Sequence, residues 1–251
     1  MSMLGTEEPE SMSTMFGYEA SLLDRFPGVV GGVIYASGLG NGPTPAGLGD
    51  RYVDEQRRVA ERLANQPIAE IPSITAWRRT FTAFGVKPTQ HRVAAEALLR
   101  RLHKQGDIPT INTLVDLGNL VSIRHGLPVA VFDQGAVTGP TTVRFADGDE
   151  RFTDLGADDP VCPEPGEVIF VDEAGLVSAR RWCWRQSAQS ATKPTTTEAL
   201  ITVEGLHDSA LDDVGAAVND LLALLDEYQP DAKVESSLLS PASGGAVRFD
   251  H

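Results

Sequence analysis

The chain has 251 residues, of which 41% are hydrophobic, so it can bury a sizeable core in one large domain or two small ones. Its formal net charge of −14 argues against indiscriminate nucleic-acid binding, and no apolar run approaches the roughly 18 residues of a membrane span. The two cysteines, Cys162 and Cys183, exclude a disulfide framework, and the acidic first residues are unlike a signal peptide. We therefore expect a cytoplasmic protein with no metal ion and no cofactor.

Composition predicts one folded domain between two flexible ends. Residues 1–20 are rich in Ser, Glu and Met and are predicted to be disordered, and residues 230–251 are predicted to form a flexible tail rich in Ser, Gly and Pro. Residues 21–229 are predicted to be a single domain. Its first part predicts a buried strand at 29–37 and then helices over 52–63, 77–84 and 91–104.

The stretch 109–133 predicts a short helix, a glycine stop and a buried strand. Three poor helix formers, Asn112, Asp116 and Asn119, recur at i, i+4 and i+7 and therefore share one side of this helix. A solvated helix face would more often hold Lys, Glu or Arg. Two interpretations stay open: an ordinary amphipathic helix with Asn112 as its N-cap, or a row of hydrogen-bonding groups that serves a site.

The hydrophobic period changes to two after this stretch, which is typical of strands. The later elements are strands at 142–146, 167–171, 176–184 and 200–204 and a long helix at 209–228. Helices followed by strands and a closing helix predict an α+β fold, a layered sandwich of mixed or antiparallel β-sheet packed with helices.

Positive charge is concentrated in residues 77–104, which hold seven basic residues against the single acid Glu96. A local basic stripe on an acidic body suits a partner whose phosphates meet one face only. The alternative is that these side chains pair with acids elsewhere on the surface.

A second notable stretch, residues 180–187, places Trp182 and Trp184 among arginines. If it is a strand, Trp182, Trp184 and Gln186 share one face and could form a platform for a nucleotide base. The alternative is that both tryptophans belong to the core. Cys183 has no evident histidine partner, and a buried inert thiol is the expected state.

The sequence contains no standard catalytic signature such as a nucleophile elbow, a Walker loop or a zinc-binding histidine motif. Glu204, at the end of the strand predicted at 200–204, is a carboxylate beside a glycine. Such a group can bind an ammonium ion or orient a water molecule, although simple exposure to solvent is the usual explanation.

Several motifs together carry a resemblance to a known family. Gly85-Val-Lys-Pro88, the run from Pro109 to Asn119, and Gly126-Leu-Pro-Val-Ala-Val-Phe-Asp133 occur in order and are followed by Val143-Arg-Phe-Ala-Asp-Gly-Asp-Glu150. This set resembles the editing domain of the phenylalanyl-tRNA synthetase beta subunit over about residues 27–228. The block at 180–186 is similar to one in free-standing relatives of that domain.

The resemblance implies a domain that binds the aminoacylated 3′ end of tRNA and hydrolyses a wrong amino acid from it. Asn119 matches the family's pocket asparagine and Glu204 its pocket glutamate, while Gly118 stands where the family has threonine. Two positions depart from the family. Ala130 replaces the pocket histidine, and Trp184 and Arg185 fall near a small glycine turn, so specificity for tyrosine is not carried over and catalysis itself is in question.

These arguments give three sets of candidate residues. The candidate catalytic residues are Glu204, Asn119 and Asp116. The candidate substrate-binding residues are Asn112, Gly118, Ala130, Trp182, Trp184, Arg185 and Gln186. The residues expected to contact tRNA are Arg78, Arg79, Arg92, Arg100, Arg101 and Lys104.

Three functions stay open at this point. The first is a trans-acting aminoacyl-tRNA deacylase that acts on the tRNA 3′ end through a local basic face. The second is a non-catalytic tRNA- or RNA-binding module. The third is a binder of a small amino-acid derivative that has lost tRNA, which the charge of −14 and the missing histidine favour.

Overall fold

The computed structural model describes residues 13–250, which form six α-helices, ten β-strands and three short 3-10 turns. The helices are α1 (Ala20–Arg25), α2 (Ala46–Asn65), α3 (Pro72–Ala83), α4 (Ala94–Gln105), α5 (Thr113–His125) and α6 (Ala210–Tyr228). The strands are β1 (Ser13–Tyr18), β2 (Val30–Ser37), β3 (Val129–Asp133), β4 (Thr141–Phe145), β5 (Val168–Val171), β6 (Val177–Arg180), β7 (Arg185–Gln186), β8 (Glu198–Gly205), β9 (Lys233–Leu239) and β10 (Ala246–Asp250).

The strands form two sheets. Six strands in the order β10-β1-β4-β5-β6-β7 make one sheet, in which only the β1–β4 pair is parallel. The other sheet has the antiparallel order β3-β8-β2-β9. The sheets pack face to face, since Phe132 on β3 lies 5.4 Å from Phe170 on β5 and Tyr35 on β2 stacks on Phe249 of β10. The predicted α+β sandwich is therefore confirmed.

Helices α5 and α6 cover the other face of the four-stranded sheet. Two consecutive glycines in β2 serve its two faces. A Cβ on Gly32 would collide with Val218 of α6, and a Cβ on Gly31 would collide with the hydroxyl of Tyr18, which reaches over from β1. The absence of side chains at these positions lets α6 pack closely on one side and Tyr18 on the other.

Three predictions of local structure are corrected. Within the described residues, 13–18 form β1 rather than a disordered segment, and β9 and β10 occupy much of the predicted flexible tail. These described segments are ordered because β1 and β10 pair with each other, while β9 pairs with β2. Composition alone does not reveal such tertiary pairing. Residues 1–12 of the segment predicted to be disordered lie outside the described residues.

The third correction concerns the strand predicted at 176–184. The strand ends at Arg180, and a turn follows over 181–184 before β7. Arg181 and Trp182 adopt left-handed backbone conformations, with φ of 46° and 59°. Trp182 and Trp184 therefore do not share one face of a strand, contrary to the prediction. Among the described helices, none combines the length and apolar character needed to cross a membrane.

Candidate functional site

A cavity of about 80 Å³ lies between the two sheets, next to the turn at 181–184. Ala130 on β3 and Thr202 and Glu204 on β8 line it from the four-stranded sheet. Phe170 and Ala179 line it from the other sheet. Ala130 pairs directly with Thr202, and Glu204 lies two residues further along the same strand face, so the pleat aims all three side chains into the space between the sheets.

Glu204 is the buried carboxylate of this cavity, with 2% of its surface exposed. Its Oε1 accepts hydrogen bonds from the Tyr18 hydroxyl at 2.8 Å and from the Trp182 indole N–H at 2.9 Å. Its Oε2 meets only the weak donor Cys183 Sγ, at 3.5 Å. Burial raises the pKa of Glu204, and the three hydrogen bonds oppose that rise. All three donors are neutral, so the carboxyl group has no cationic partner among them.

Tyr18 and Cys183 are held in their protonated forms by the same environment. Burial, reinforced by the nearby Glu204 carboxylate, raises the pKa of the Tyr18 hydroxyl and of the Cys183 thiol well above their ordinary values. Both groups therefore act as hydrogen-bond donors to Glu204. This agrees with the inert thiol expected at Cys183.

The two tryptophans of the turn have different roles, and the predicted pair does not form a shared platform. Trp182 is fully buried and packs edge-to-face against Trp77 at 5.2 Å and Phe26 at 5.3 Å. Trp184 is half-buried at the rim of the cavity. The guanidinium groups of Arg181 and Arg185 lie over the Trp184 ring, 4.6 and 4.8 Å from its centre.

A basic hollow adjoins the cavity on the outer side of Trp184 and Arg185, which line both spaces. Four of the six predicted tRNA-binding residues come together there: Arg92, Arg100, Arg101 and Lys104. They lie on or just before α4 and project to the same side because their spacings follow the helical repeat.

Glu96 organises the arginines around this hollow. It is fully buried, and its Oε1 accepts hydrogen bonds from Arg100 Nε at 2.7 Å and from Arg78 at 3.1 Å. Arg92 Nε lies 4.0 Å away. Arg78 thus acts as an ion-pair partner at this cluster, and Arg79 lines a separate hollow beside His207 and Asp208. Four of the six residues predicted to contact tRNA therefore line one hollow, while Arg78 and Arg79 do not line it. Their contact with tRNA stays a prediction.

The polar row of α5 does not line the cavity. Asn112 is the N-cap of α5, with its side-chain oxygen accepting from Val115 N at 3.0 Å and its amide donating to Thr192 at 3.3 Å. Asp116 is fully buried and accepts hydrogen bonds from the Thr44 hydroxyl and the Ile111 backbone N–H. Both side chains brace the loops that flank the helix.

The remaining two predicted residues of α5 also lie away from the cavity. Asn119 lies beside the Tyr52 hydroxyl of α2. Gly118 faces β3, where a Cβ would lie 3.2 Å from Val131 and 3.3 Å from Val129. The helix is packed between α2 and the sheet, so these positions are used for packing. The three candidate catalytic residues are thus not brought together, and Glu204 alone among them lines the cavity.

Gln186 lies at the cavity wall, as predicted, but its amide is committed to the backbone. Its Nε2 donates to the carbonyls of Val131 at 2.7 Å and Ser190 at 2.9 Å. Sequence reasoning missed Thr202 and Tyr18. Thr202 could have been found from its position two residues before Glu204, whereas Tyr18 lay in the segment predicted to be disordered.

One acidic group outside the cavity has ligand atoms close enough together to hold a metal ion: Asp147, Asp149 and Glu150, within 4.8 Å of one another. Glu150 already pairs with Arg144 at 2.7 Å and accepts backbone hydrogen bonds from Asp147 and Gly148. These partners account for the arrangement of the loop without a ligand.

Comparisons with known proteins identify a family to which this chain is similar. The B3/4 domain family matches residues 76–221, which is more than half of the chain. The chain is 33% identical over 108 residues to the phenylalanine–tRNA ligase beta subunit of Aster yellows witches'-broom phytoplasma, and 29% identical over 94 residues to that of Shewanella oneidensis.

These matches cover 41% and 38% of this chain but only 12% of each relative, so the similarity concerns one portion of much longer proteins. Among solved structures, an N-terminal fragment of the phenylalanyl-tRNA synthetase beta subunit from Pyrococcus horikoshii aligns over 92% of this chain and 53% of its own. That alignment has 14% identity and a TM-score of 0.46.

Proposed function

The chain belongs to the B3/4 domain family, and from that premise we propose that it is a trans-acting aminoacyl-tRNA deacylase, which hydrolyses a mischarged amino acid from the 3′ end of tRNA. Its curated relatives are phenylalanine–tRNA ligase beta subunits, which makes tRNA the first partner to test. The activity of those whole proteins is not transferred; the proposal depends on the cavity and its surroundings.

The observation that carries the proposal is the direct contact between a partly open cavity and a basic hollow. Trp184 and Arg185 line both spaces. A single-stranded RNA end can therefore lay its phosphates along Arg92, Arg100 and Arg101 while its last ribose and the attached amino acid reach the cavity. This arrangement also reconciles RNA binding with the net charge of −14, because the contact is local.

Glu204 is suited to the α-ammonium group of an aminoacyl ester. Its hydrogen-bond donors are neutral and its Oε2 meets only a thiol, so an ammonium ion would supply the missing countercharge. The apolar side chain of the amino acid would contact Ala130, Phe132 and Phe170. A cavity of about 80 Å³ favours a small aliphatic side chain, because a cavity that binds benzene measures about 150 Å³.

The hydrolysis needs little more than positioning, since an aminoacyl ester is already activated. A water molecule held by the Thr202 hydroxyl attacks the carbonyl carbon, the bond between that carbon and the ribose oxygen breaks, and the leaving ribose oxygen takes up a proton from the attacking water to become a hydroxyl. Among the described residues no hydrogen bond occupies the Thr202 hydroxyl, which leaves it available. The absence of a histidine at Ala130 is compatible with this scheme.

The test is release of amino acid from a full panel of mischarged tRNAs, measured against spontaneous hydrolysis. We expect faster release from tRNAs that carry small aliphatic amino acids than from those that carry tyrosine or phenylalanine. Glu204→Gln is expected to lower the rate by about tenfold or more, because it removes the countercharge. Glu61→Gln, an exposed carboxyl on α2, is the matched control and should release at the wild-type rate.

Two other outcomes identify the alternatives. RNA binding without release from any tRNA of the panel would contradict the deacylase and indicate a non-catalytic RNA-binding module. Ala130 at the family's histidine position is the observation that favours this second function. Binding of a free amino-acid ester with no added affinity from RNA would indicate a small-molecule binder instead.

A further inference from the structure

We infer that the terminal base of the bound RNA stacks on the guanidinium plane of Arg185 rather than on a tryptophan. This inference rests on the proposed function and names one subsite within it. It concerns the boundary between the cavity and the basic hollow, and it follows from how the arginines and tryptophans of residues 180–186 are arranged.

The tryptophans have little free surface to offer a base. Trp77 and Trp182 are fully buried. The ring of Trp184 is already covered by the guanidinium groups of Arg181 and Arg185, and the imidazole of His91 packs edge-on with its centre 4.6 Å away. A base could reach the Trp184 ring only by displacing one of these groups.

Arg185 offers the surface that the indoles do not. The central carbon of its guanidinium lies over the Trp184 ring, 4.8 Å from the ring centre, and its side chain is 50% exposed. An ion pair with Asp154 restrains the guanidinium. Nucleic-acid bases stack on arginine planes as they do on aromatic rings, and a plane already held by an indole and a carboxylate loses little freedom on binding.

The position of Arg185 matches the position of the last nucleotide. If phosphates occupy the hollow at Arg100 and Arg101 and the ester enters the cavity at Glu204, the terminal ribose and its base must lie between these two places. Arg185 is at that boundary, since it lines both spaces. The phosphate contacts would supply affinity, and Arg185 would recognise that a base is present.

The experiment measures the affinity of the full chain for two uncharged acceptor-stem RNA hairpins. One ends in CCA, and the other carries an abasic nucleotide in place of the terminal adenosine, so both have the same number of phosphates. We expect the wild type to bind the intact RNA about tenfold more tightly, as is typical for one stacked base. Asp154→Asn should reduce this ratio by loosening the guanidinium plane.

Arg185→Lys is the decisive variant because it keeps the charge and loses the plane. It should bring the two affinities within about twofold of each other, with the same dependence on salt as the wild type. Arg101→Ala is the matched control for a phosphate contact. It should weaken both RNAs equally and lower the salt slope by about 0.7–0.9, leaving the ratio intact. Arg79→Ala, in a separate hollow, should change neither affinity.

Equal binding of the two hairpins by the wild type would overturn the stacking inference and leave the deacylase proposal standing. A tenfold ratio that persists in Arg185→Lys would also overturn it, since the base would then stack elsewhere. Failure of the wild type to bind either hairpin, together with no release from charged tRNA, would overturn both. Arg185 is half exposed, so a thermal melt is a sufficient check that its variants fold.

Discussion

Asp116 on α5 and Glu204 on β8 are both buried carboxylates whose pKa is raised by burial, yet their surroundings differ. Asp116 receives a hydroxyl and a backbone N–H from loops that it ties together, and it does not line the cavity between the sheets. Glu204 receives two donors on one oxygen and only the weak thiol donor of Cys183 on the other, and it lines a cavity. Burial alone therefore does not mark a site; a weakly paired carboxyl group that lines a cavity does.

Asp116→Ala has the largest expected effect and tests whether the role of Asp116 is structural. The substitution removes the fully buried carboxylate that accepts hydrogen bonds from the part-buried Thr44 hydroxyl and from the Ile111 backbone N–H, so we expect a loss of about 2 kcal/mol in the free energy of unfolding. Urea denaturation measures it. Asp116→Asn, which keeps one acceptor oxygen, should lose less. A stable Asp116→Ala protein that releases amino acid more slowly would place Asp116 in the site instead.

Asn112 gives a smaller effect on the same helix. Asn112→Ala removes the N-cap of α5 and should cost about 1 kcal/mol in the free energy of unfolding, because the N–H of Val115 loses its acceptor. Asn112→Asp keeps that acceptor and serves as the control in the same denaturation series. A reduced affinity for RNA at unchanged stability would contradict the assignment of Asn112 as a cap.

Glu204 should make the free energy of unfolding depend on pH. Because its folded pKa is raised above the ordinary 4.5, the unfolded chain loses this proton first as pH rises, and wild-type stability falls until the pH passes the folded pKa. Glu204→Gln has no such proton and keeps the acceptor for Tyr18 and Trp182. Its stability relative to wild type should therefore rise as the pH increases from the ordinary carboxyl pKa up to the raised pKa of folded Glu204.

Parallel thermal melts of the two proteins across this pH range make the measurement. A constant difference in Tm would show that Glu204 has the same pKa in the folded and unfolded chain. That result would remove the physical basis for treating it as a carboxyl that awaits a cationic ligand.

Thr202→Val has the smallest expected effect on stability, and it tests whether a cavity residue can affect amino-acid release without affecting stability. Threonine and valine side chains have nearly the same shape, and among the described residues no hydrogen bond holds the Thr202 hydroxyl. The free energy of unfolding should therefore change by less than about 0.5 kcal/mol. The rate of amino-acid release should nevertheless fall. Ser at this position keeps the hydroxyl and should retain release. An unchanged rate in Thr202→Val would exclude this hydroxyl from positioning the water.

Local patterns predicted the scaffold of the site better than the site itself. The ends of α5 could be predicted because both are marked by local signals. Asn112 is its N-cap, and Gly126 ends it in the left-handed conformation with φ of 68°. Glu204 is singled out by its place at a predicted strand end beside Gly205, and the family resemblance then matches it to a pocket glutamate. The turn at 181–184 was not, because an arginine and a tryptophan carry no sequence signal for left-handed backbone.

Residues that meet only through tertiary packing were the hardest to foresee. The polar residues Asn112, Asp116 and Asn119 left two interpretations open, a functional site or an ordinary capped helix. Only the elements that pack against α5 decide between them, and no local sequence pattern contains that information. The position of Tyr18 above Gly31 depends on two sheets coming together. The basic hollow could be predicted in part, because helical spacing groups Arg100, Arg101 and Lys104 but does not show that Arg79 lies elsewhere.

The hydrogen bond from Tyr18 to Glu204 joins residues 186 positions apart, and the strand that carries Tyr18 is aligned by β10, whose Asp250 pairs with Ser13. Contacts of such wide separation form late, because loop-closure entropy must be overcome first. The pairing of β2 with β8, which holds Glu204 in its sheet, also joins distant parts of the chain. The environment that raises the pKa of Glu204 therefore exists only after strands from both ends of the chain have come together.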